Sequence, residues 1–424
     1  MKEDINITRL PGGPTVLTDR MPGIRSSTVG FFFRVGSRHE PDGLNGISHF
    51  IEHTVFKGTT RRSALDIAIE TDRLGGNLDA FTTHEETGFA IKVIDDQMST
   101  AFDLIADMLV DPRFDDADLK SEQRVIIEEM KMVEDSPEDF LGEIFSEAFF
   151  PGHPLGMNIA GTPRTVRSFD SAKTRRYHAE TYHAGNLVIA AAGNVRHEQV
   201  VELATQYFSK DQTPGRDPRA AISKPVYAAP IIIRQNKNLE QAHLIIAMPL
   251  ISAKDERRYA ADLLANILGG GTSSRLWQKV REERGLAYSV GAAVSMHHDC
   301  GLFSIFAGTS PDQVEEVVDL SIAEIRDIVK HGVTAPELTL AKQQTAASIL
   351  LGLEDSAGRA ATLAQQEMLH GRQITVEESL EGFNAVTLDD IRELAAEHFR
   401  TETMAFAALG DLKGLKIDRE RLSV

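Results

Sequence analysis

On either side of residues 209–219 the chain runs through the same order of elements, and this duplication limits its fold more than any other feature. Each side reads as a strand (27–35, then 243–250), two helices and a long strand pair, then two or more long amphipathic helices and a closing apolar strand (187–192, then 404–409). Strands and helices in this mixture, with few βαβ alternations, predict an α+β domain present twice. The sheets are expected to be rich in antiparallel pairs, with helices packed on one face. The 209–219 stretch is rich in Pro, Gly and charge and has no apolar periodicity, so it reads as the link between the copies. The expected division is 1–212, a linker at 213–225, and 226–424. A chain of 424 residues is too long for one ordinary core and suits two.

The copies differ where chemistry is concentrated. Sliding the first half along the chain until Thr59 meets Thr272 also brings Gly88 onto Gly301, so the scaffold repeats. The same shift lays His49, Glu52 and His53 on Asp262, Ala265 and Asn266. His49-Phe50-Ile51-Glu52-His53 is an H-x-x-E-H run. On a helix it places both imidazoles and the carboxylate on one face, the order of the inverzincin motif. Local signals predict that helix: Asn45 as its cap, Ile47, Phe50, Ile51 and Val55 as its apolar side, and Lys57-Gly58 as its stop. The competing reading is two core histidines with hydrogen-bond partners. Scaffold residues should leave a trace in both copies, and these leave none.

A zinc site needs a third protein ligand. Residues 117–132 read as an amphipathic helix whose apolar stripe runs Leu119, Val125, Ile126, Val133, and Glu122 and Glu129 lie on that stripe two turns apart. Glu128 lies about 100° round the helix. A buried carboxylate is costly without a cation or strong donor beside it. Glu129 is therefore assigned as the third ligand, and Glu122 as the carboxylate that receives the free N–H of a ligand imidazole. The alternative for Glu122 is an ion pair with Arg or Lys from a neighbouring helix. In the second half the equivalent of Glu129 falls near Ser348 or Ile349, so this carboxylate is missing there too.

Composition narrows the rest. The formal net charge of −18 argues against nucleic acid as partner, because phosphate binding rests on Lys and Arg. The one cysteine, Cys300, excludes a disulfide framework or a Cys-based metal site, so any metal must be held by His and carboxylate. No apolar run reaches the length of a membrane span, and the first residues lack a secretory or transit pattern. The expectation is a cytoplasmic protein.

The chain resembles the pitrilysin family of zinc peptidases over nearly its whole length. Residues 49–59 are similar to the family's zinc helix. Val125-Ile126-Ile127-Glu128-Glu129-Met130 is similar to its distal-glutamate helix, and 269–276 with 281–288 to its second-half motif. The length suits the two-domain subfamily, similar to the mitochondrial processing peptidase beta subunit and bacterial homologues. The resemblance implies two homologous roll domains per chain and pairs of chains enclosing a peptide-sized chamber. It also implies that Arg281 and Tyr288 reach the scissile peptide of the partner chain. Since this chain carries both halves of the machinery, a homodimer is expected ahead of a heterodimer with a homologous chain. Asp79, where the family pattern has Asn, and His84 beside it depart from that pattern.

The residues suggest a mechanism. One Zn2+ per chain, held by His49, His53 and Glu129, keeps a fourth position for water, and Glu52 serves as general base. Arg281 and Tyr288 are candidates for stabilising the oxyanion or gripping the peptide, although spacing alone favours an Arg281 salt bridge with Glu282 or Glu283. Leu78, Asp79, Ala80, Phe81 and Thr82 read as an extended segment that would bind substrate as an added strand. The alternative is an interior strand with no free edge. Gly269 to Gly271 lacks the Gly-Lys-Ser/Thr of a phosphate loop and reads as a turn. His297-His298 reads as an exposed turn, and His153 and His183 as structural loop residues. The expected activity is zinc-dependent hydrolysis of peptides or short unfolded polypeptides. Presequence processing and a non-catalytic core subunit of the same fold are the alternatives.

Overall fold

The computed structural model describes residues 3–208 and 223–424. Most of the expected linker, 213–222, therefore lies outside the described residues. The strands are β1 (Ile5–Arg9), β2 (Thr15–Arg20), β3 (Ser26–Phe33), β4 (Leu78–Thr82), β5 (Thr87–Ile94), β6 (Leu187–Gly193), β7 (Ile231–Gln235), β8 (Ala242–Leu250), β9 (Ala287–Met296), β10 (Gly301–Thr309) and β11 (Ala405–Gly410). Helices of the first half are α1 (Ile47–Thr54), α2 (Ala64–Leu74), α3 (Met98–Val110), α4 (Asp116–Asp135), α5 (Pro137–Phe149), α6 (Pro163–Val166), α7 (Ser171–Thr181) and α8 (His197–Phe208). Those of the second half are α9 (Arg258–Gly269), α10 (Val314–His331), α11 (Ala335–Gly352), α12 (Ser356–His370), α13 (Val376–Ala385) and α14 (Leu388–His398).

The duplication is written in the sheets. One runs β1-β2-β6-β3-β5-β4 and the other β7-β11-β8-β10-β9. Setting β1 aside, the two orders correspond strand for strand. They share their only kind of parallel pair, β2 with β6 and β7 with β11, and the remaining pairs are antiparallel. The architecture is α+β, as the sequence predicts.

Each sheet has apolar residues on both faces. In β6 all seven residues are buried, and they divide by the period of two. Leu187, Ile189 and Ala191 join the core beneath α1, α3 and α8. Val188, Ala190 and Ala192 face the other way, onto Ala360, Leu363, Ala364 and Met368 of α12. The expectation of helices on one face thus describes the larger layer, and a single helix covers the second face. The other sheet repeats this with α5, whose Leu141, Phe145 and Phe149 meet Ala247, Ala405 and Ala407. Small alanines let the helix approach closely, and each large side chain so buried contributes about 1.5–3 kcal/mol.

These covering helices redraw the expected division at 212 and 226. One compact unit comprises Met1–Lys131, Met157–Ser223 and Leu350–Thr375, and the other Met132–Gly156, Lys224–Ile349 and Val376–Val424. Each half lends the other unit a helix. Polar contacts fix α12 to its adopted sheet: Arg359 pairs with Asp19, Arg9 with Glu367 at 2.7 Å, and the Thr28 and Ser356 hydroxyls meet at 2.8 Å. No helix among the described residues is long and apolar enough to cross a membrane.

Candidate metal centre and active site

α1 is a two-turn helix with a fully buried side. Ile47, Phe50 and Ile51 are inaccessible to solvent, which leaves His49, Glu52 and His53 on the opposite face. The expected cap is replaced. Gly46 occupies the cap position in the left-handed region at φ 95°, and Asn45 turns away, donating from Nδ2 to the Asn158 carbonyl at 2.9 Å. The acceptor for the first turn is the Glu40 carboxylate, which takes the Gly46 and Ser48 N–H groups, each at 2.8 Å. The stop falls as expected, with a short 3-10 turn through Lys57 before Gly58.

α4 supplies the carboxylates. Its buried side is Leu119, Glu122, Ile126 and Met130, whereas Val125, placed on the apolar stripe by sequence, is half exposed. Glu129 sits at the rim of that side with its side chain 43% exposed. The structure brings it to the histidines: Glu129 Oε1 is 3.8 Å from His49 Nε2, and Oε2 is 3.5 Å from His53 Nε2. Donor atoms of the three residues all lie within 4.8 Å of one another. Ligands 2.0–2.2 Å from a tetrahedral Zn2+ stand roughly 3.4 Å apart, so the set fits such a cation. Glu129 Oε2 is also buried with no hydrogen-bond partner among the described residues, which a cation would answer.

Electrostatics favour ligation by the same groups. Burial, then repulsion from His53, lowers His49 to about 4, so its imidazole is neutral and offers a lone pair. Burial works to lower His53 as well, but the Glu122 hydrogen bond and the Glu129 and Glu52 charges outweigh it and raise it. His53 Nδ1 meets Glu122 Oε2 at 3.4 Å, which leaves Nε2 for a metal. Burial alone would raise Glu122; His53 and Lys57 together hold it below its ordinary range. Lys57 Nζ lies 2.6 Å from Glu122 Oε1, so the carboxylate has both the imidazole partner and the lysine partner that the sequence left as alternatives.

Glu52 lies beside the cluster and feels the charges of His53 and Glu129. Burial raises its pKa, opposed by a hydrogen bond from Thr82 Oγ1 to Oε2 at 2.6 Å. Thr82 closes β4, which lies at the end of the sheet order and among the described residues pairs with β5 alone, leaving its other edge without a strand there. Along β4, Leu78, Ala80 and Thr82 are half buried while Asp79 and Phe81 are exposed. Asn77 donates to Asp79, and Ser37 Oγ meets His84 Nδ1 at 2.9 Å.

Arg281 and Tyr288 belong to the other compact unit. Arg281 lies on a π-helical turn, Trp277–Glu282, a form often found at functional sites. Its guanidinium stacks 4.1 Å over Trp277 and 5.2 Å over Tyr288, and Glu282 accepts the Trp277 Nε1–H instead of pairing with Arg281. Tyr288 is 76% exposed. Gly269 ends α9 against β9, where a Cβ would stand 2.2 Å from the Ala292 nitrogen, so Gly269 serves packing. His297 and His298 occupy the β9–β10 turn and are half buried rather than exposed; His153 and His183 are buried.

Sequence reading missed Glu40 and the part played by Lys57. Lys57 was legible as a cation one turn beyond His53. Glu40 had no such signal, because it caps from outside the spacing of any local capping motif.

The chain is similar to known proteins over most of its length. Residues 15–163 match the model for insulinase (peptidase family M16), and 168–345 match that for the peptidase M16 inactive domain. An uncharacterized zinc protease of Streptomyces coelicolor is 38% identical, covering 97% of this chain and 91% of that protein. The solved structure of a protease from Helicobacter pylori superimposes with a TM-score of 0.88 at 22% identity, over 96% of this chain and all of that one. A chain of complex III2 from Candida albicans does so with a TM-score of 0.85 at 20% identity, over 99% of this chain and 100% of that one. On its identity to the Streptomyces protein over nearly its whole length, and on both domain models, the chain belongs to peptidase family M16, the pitrilysin family of zinc peptidases, in its two-domain form.

Proposed function

We propose that the chain is a zinc-dependent metalloendopeptidase acting on peptides or short unfolded polypeptides, with one Zn2+ per chain held by His49, His53 and Glu129. The observation that carries this reading is the convergence of those three donors beside Glu52, whose side chain is hydrogen-bonded to Thr82. Bound zinc would act as a Lewis acid, lowering the pKa of water toward neutrality. Glu52, with Thr82 bonded to Oε2, keeps Oε1 to take a proton from the attacking water and pass it to the leaving amine. The free edge of β4 supports substrate binding by strand addition through Leu78 to Thr82. Main-chain pairing of that kind accepts many sequences. Zinc ligands and base are all present, which favours catalysis over a purely structural role.

Arg281 and Tyr288 would complete the site from the partner in a homodimer. Their stacking supports a preorganised donor pair, since a guanidinium held on two aromatic faces loses little freedom on binding. A second reading, presequence processing, draws on the net charge of −18, which suits basic leader peptides.

Metal analysis with a peptide-cleavage assay tests the main reading. The chain should carry about one zinc, and Glu52→Gln should keep it while losing about 10²–10⁴ in kcat. Full turnover by metal-free protein would sink the mechanism. For the dimer, mixing Glu52→Gln chains with Tyr288→Phe chains should restore part of the turnover that each lacks alone. Two inactive parents that stay inactive when mixed would place the site within one chain.

A further inference from the structure

The way the chain enters α1 has no counterpart in local capping rules. Gly46 holds φ 95°, and a Cβ on it would stand 2.5 Å from the Ala160 carbonyl oxygen. Gly161 faces it across the same gap, where a Cβ would lie 2.4 Å from the Asn45 carbonyl oxygen. Two backbones approach here with no room for side chains, so the cap position offers no acceptor of its own. The first-turn N–H groups must find one elsewhere.

Glu40 meets that need with both oxygens. Oε2 accepts from Gly46 and, at 3.4 Å, from Asn45 Nδ2; Oε1 accepts from Ser48. Ser48 is itself fixed on its far side: its hydroxyl meets the Tyr177 hydroxyl at 3.1 Å, and the Tyr182 hydroxyl donates to its carbonyl at 3.4 Å. The residue after it is His49. A two-turn helix has little stability of its own, so its axial rotation is set by its buried face and its anchored end. Burial pushes Glu40 up to about 7 against the hydrogen bonds from Ser48, Gly46 and Asn45.

The metal-free copy lacks this arrangement. α9, the counterpart of α1, begins after Arg257, whose side chain caps nothing; Asp255 accepts the Arg257 N–H as Glu40 accepts that of Gly46, but its carboxylate takes no N–H of the first turn among the described residues. Both helices bury the same apolar side. A carboxylate that reaches past the cap residue to a first-turn N–H occurs with the histidines.

We propose that Glu40 is a positioning residue for the metal centre. By holding the first turn of α1 from outside the helix, it sets where His49, and with it Glu52 and His53, stand against Glu129. The proposal rests on the zinc reading above. A metal constellation tolerates displacements of only about 0.5 Å or 10–20°, so a small rotation of α1 is felt at the ligands.

Glu40→Gln keeps the size of the side chain but turns an amide donor toward one of the two N–H groups. Ser63→Ala, which removes the cap of α2, is the control for a helix end away from the site. In the full chain, Glu40→Gln should bind zinc about tenfold or more weakly in chelator competition. It should also shift the visible absorption of the Co2+-loaded protein and lower kcat with KM unchanged. Ser63→Ala should lower only the melting temperature. If Glu40→Gln fails to fold, Glu40→Asp, with both oxygens on a shorter arm, decides on the same readouts. Wild-type zinc affinity, Co2+ spectrum and kcat in a variant with a lower melting temperature would overturn the proposal and leave Glu40 a structural cap. A wild-type chain that takes up neither Zn2+ nor Co2+ would instead overturn the zinc reading, and this inference with it.

Discussion

α1 and α9 are the same helix built twice, and only one of them carries a candidate metal site. Phe50 and Ile51 on α1 and Val55 just after it correspond to Leu263, Leu264 and Leu268 on α9, all fully buried. The outward faces diverge completely, with His49, Glu52 and His53 on one and Asp262, Ala265 and Asn266 on the other. The supporting helix diverges too: α4 brings Glu122 and Glu129, whereas α11 has Ser348 and Ile349 where Glu129 would fall. Burial constrains the core-facing side of each helix to apolar residues of similar volume, while the other side is free to specialise. The duplication therefore separates what the fold requires from what the chemistry requires.

Removing the third ligand should have the largest effect. Glu129→Ala should lose zinc and drop peptide hydrolysis to the metal-free background, while Ser348→Ala at the matching place should change neither. The converse graft sharpens this contrast. A chain carrying Asp262→His, Ala265→Glu and Asn266→His should still hold about one zinc, because α11 has Ser348 and Ile349 rather than a carboxylate at the matching place; two zincs by metal analysis would break the comparison. A smaller effect is expected at Lys57. Lys57→Met removes the cation 2.6 Å from Glu122 and should weaken zinc binding about tenfold, read by chelator competition; unchanged affinity would make Lys57 a bystander.

The smallest effect belongs to the second copy. Asp262 occupies the place of His49, and burial raises its pKa to about 6. A carboxyl raised on folding favours its protonated form, so the stability it contributes is present below about pH 4 and is lost as pH rises through about 6. Asp262→Asn should thus stabilise the chain by about 1–2 kcal/mol at neutral pH and by nothing near pH 4. Melting curves across that range check it. A gain that is independent of pH would assign the effect to packing.

Much of this was legible in residue order. The H-x-x-E-H spacing fixed one helix face, since 3.6 residues per turn leave no other arrangement of 49, 52 and 53. The Glu122–Glu129 spacing pointed to a second face, although Val125, counted with its apolar stripe, turned out half exposed. Segment 78–82 was read as a strand and is one, lying at a free edge. Arg281 was harder to read. Glu282 and Glu283 follow it directly, so spacing favoured an ion pair, whereas the structure stacks it on Trp277 and Tyr288. Stacking of this kind depends on a π-helical turn that residue order does not announce.

By itself, the sequence determined the duplication and the α+β class and singled out the residues proposed as donors, because periodicity and residue chemistry are local properties of the chain. Only the tertiary structure decided that α5 and α12 are exchanged between the compact units. It also decided that Glu40 rather than Asn45 caps α1, and that Glu122 carries both His53 and Lys57. These choices depend on which surfaces and N–H groups lack partners once the sheets have formed. That is settled by contacts between residues distant in sequence, and no local pattern encodes it.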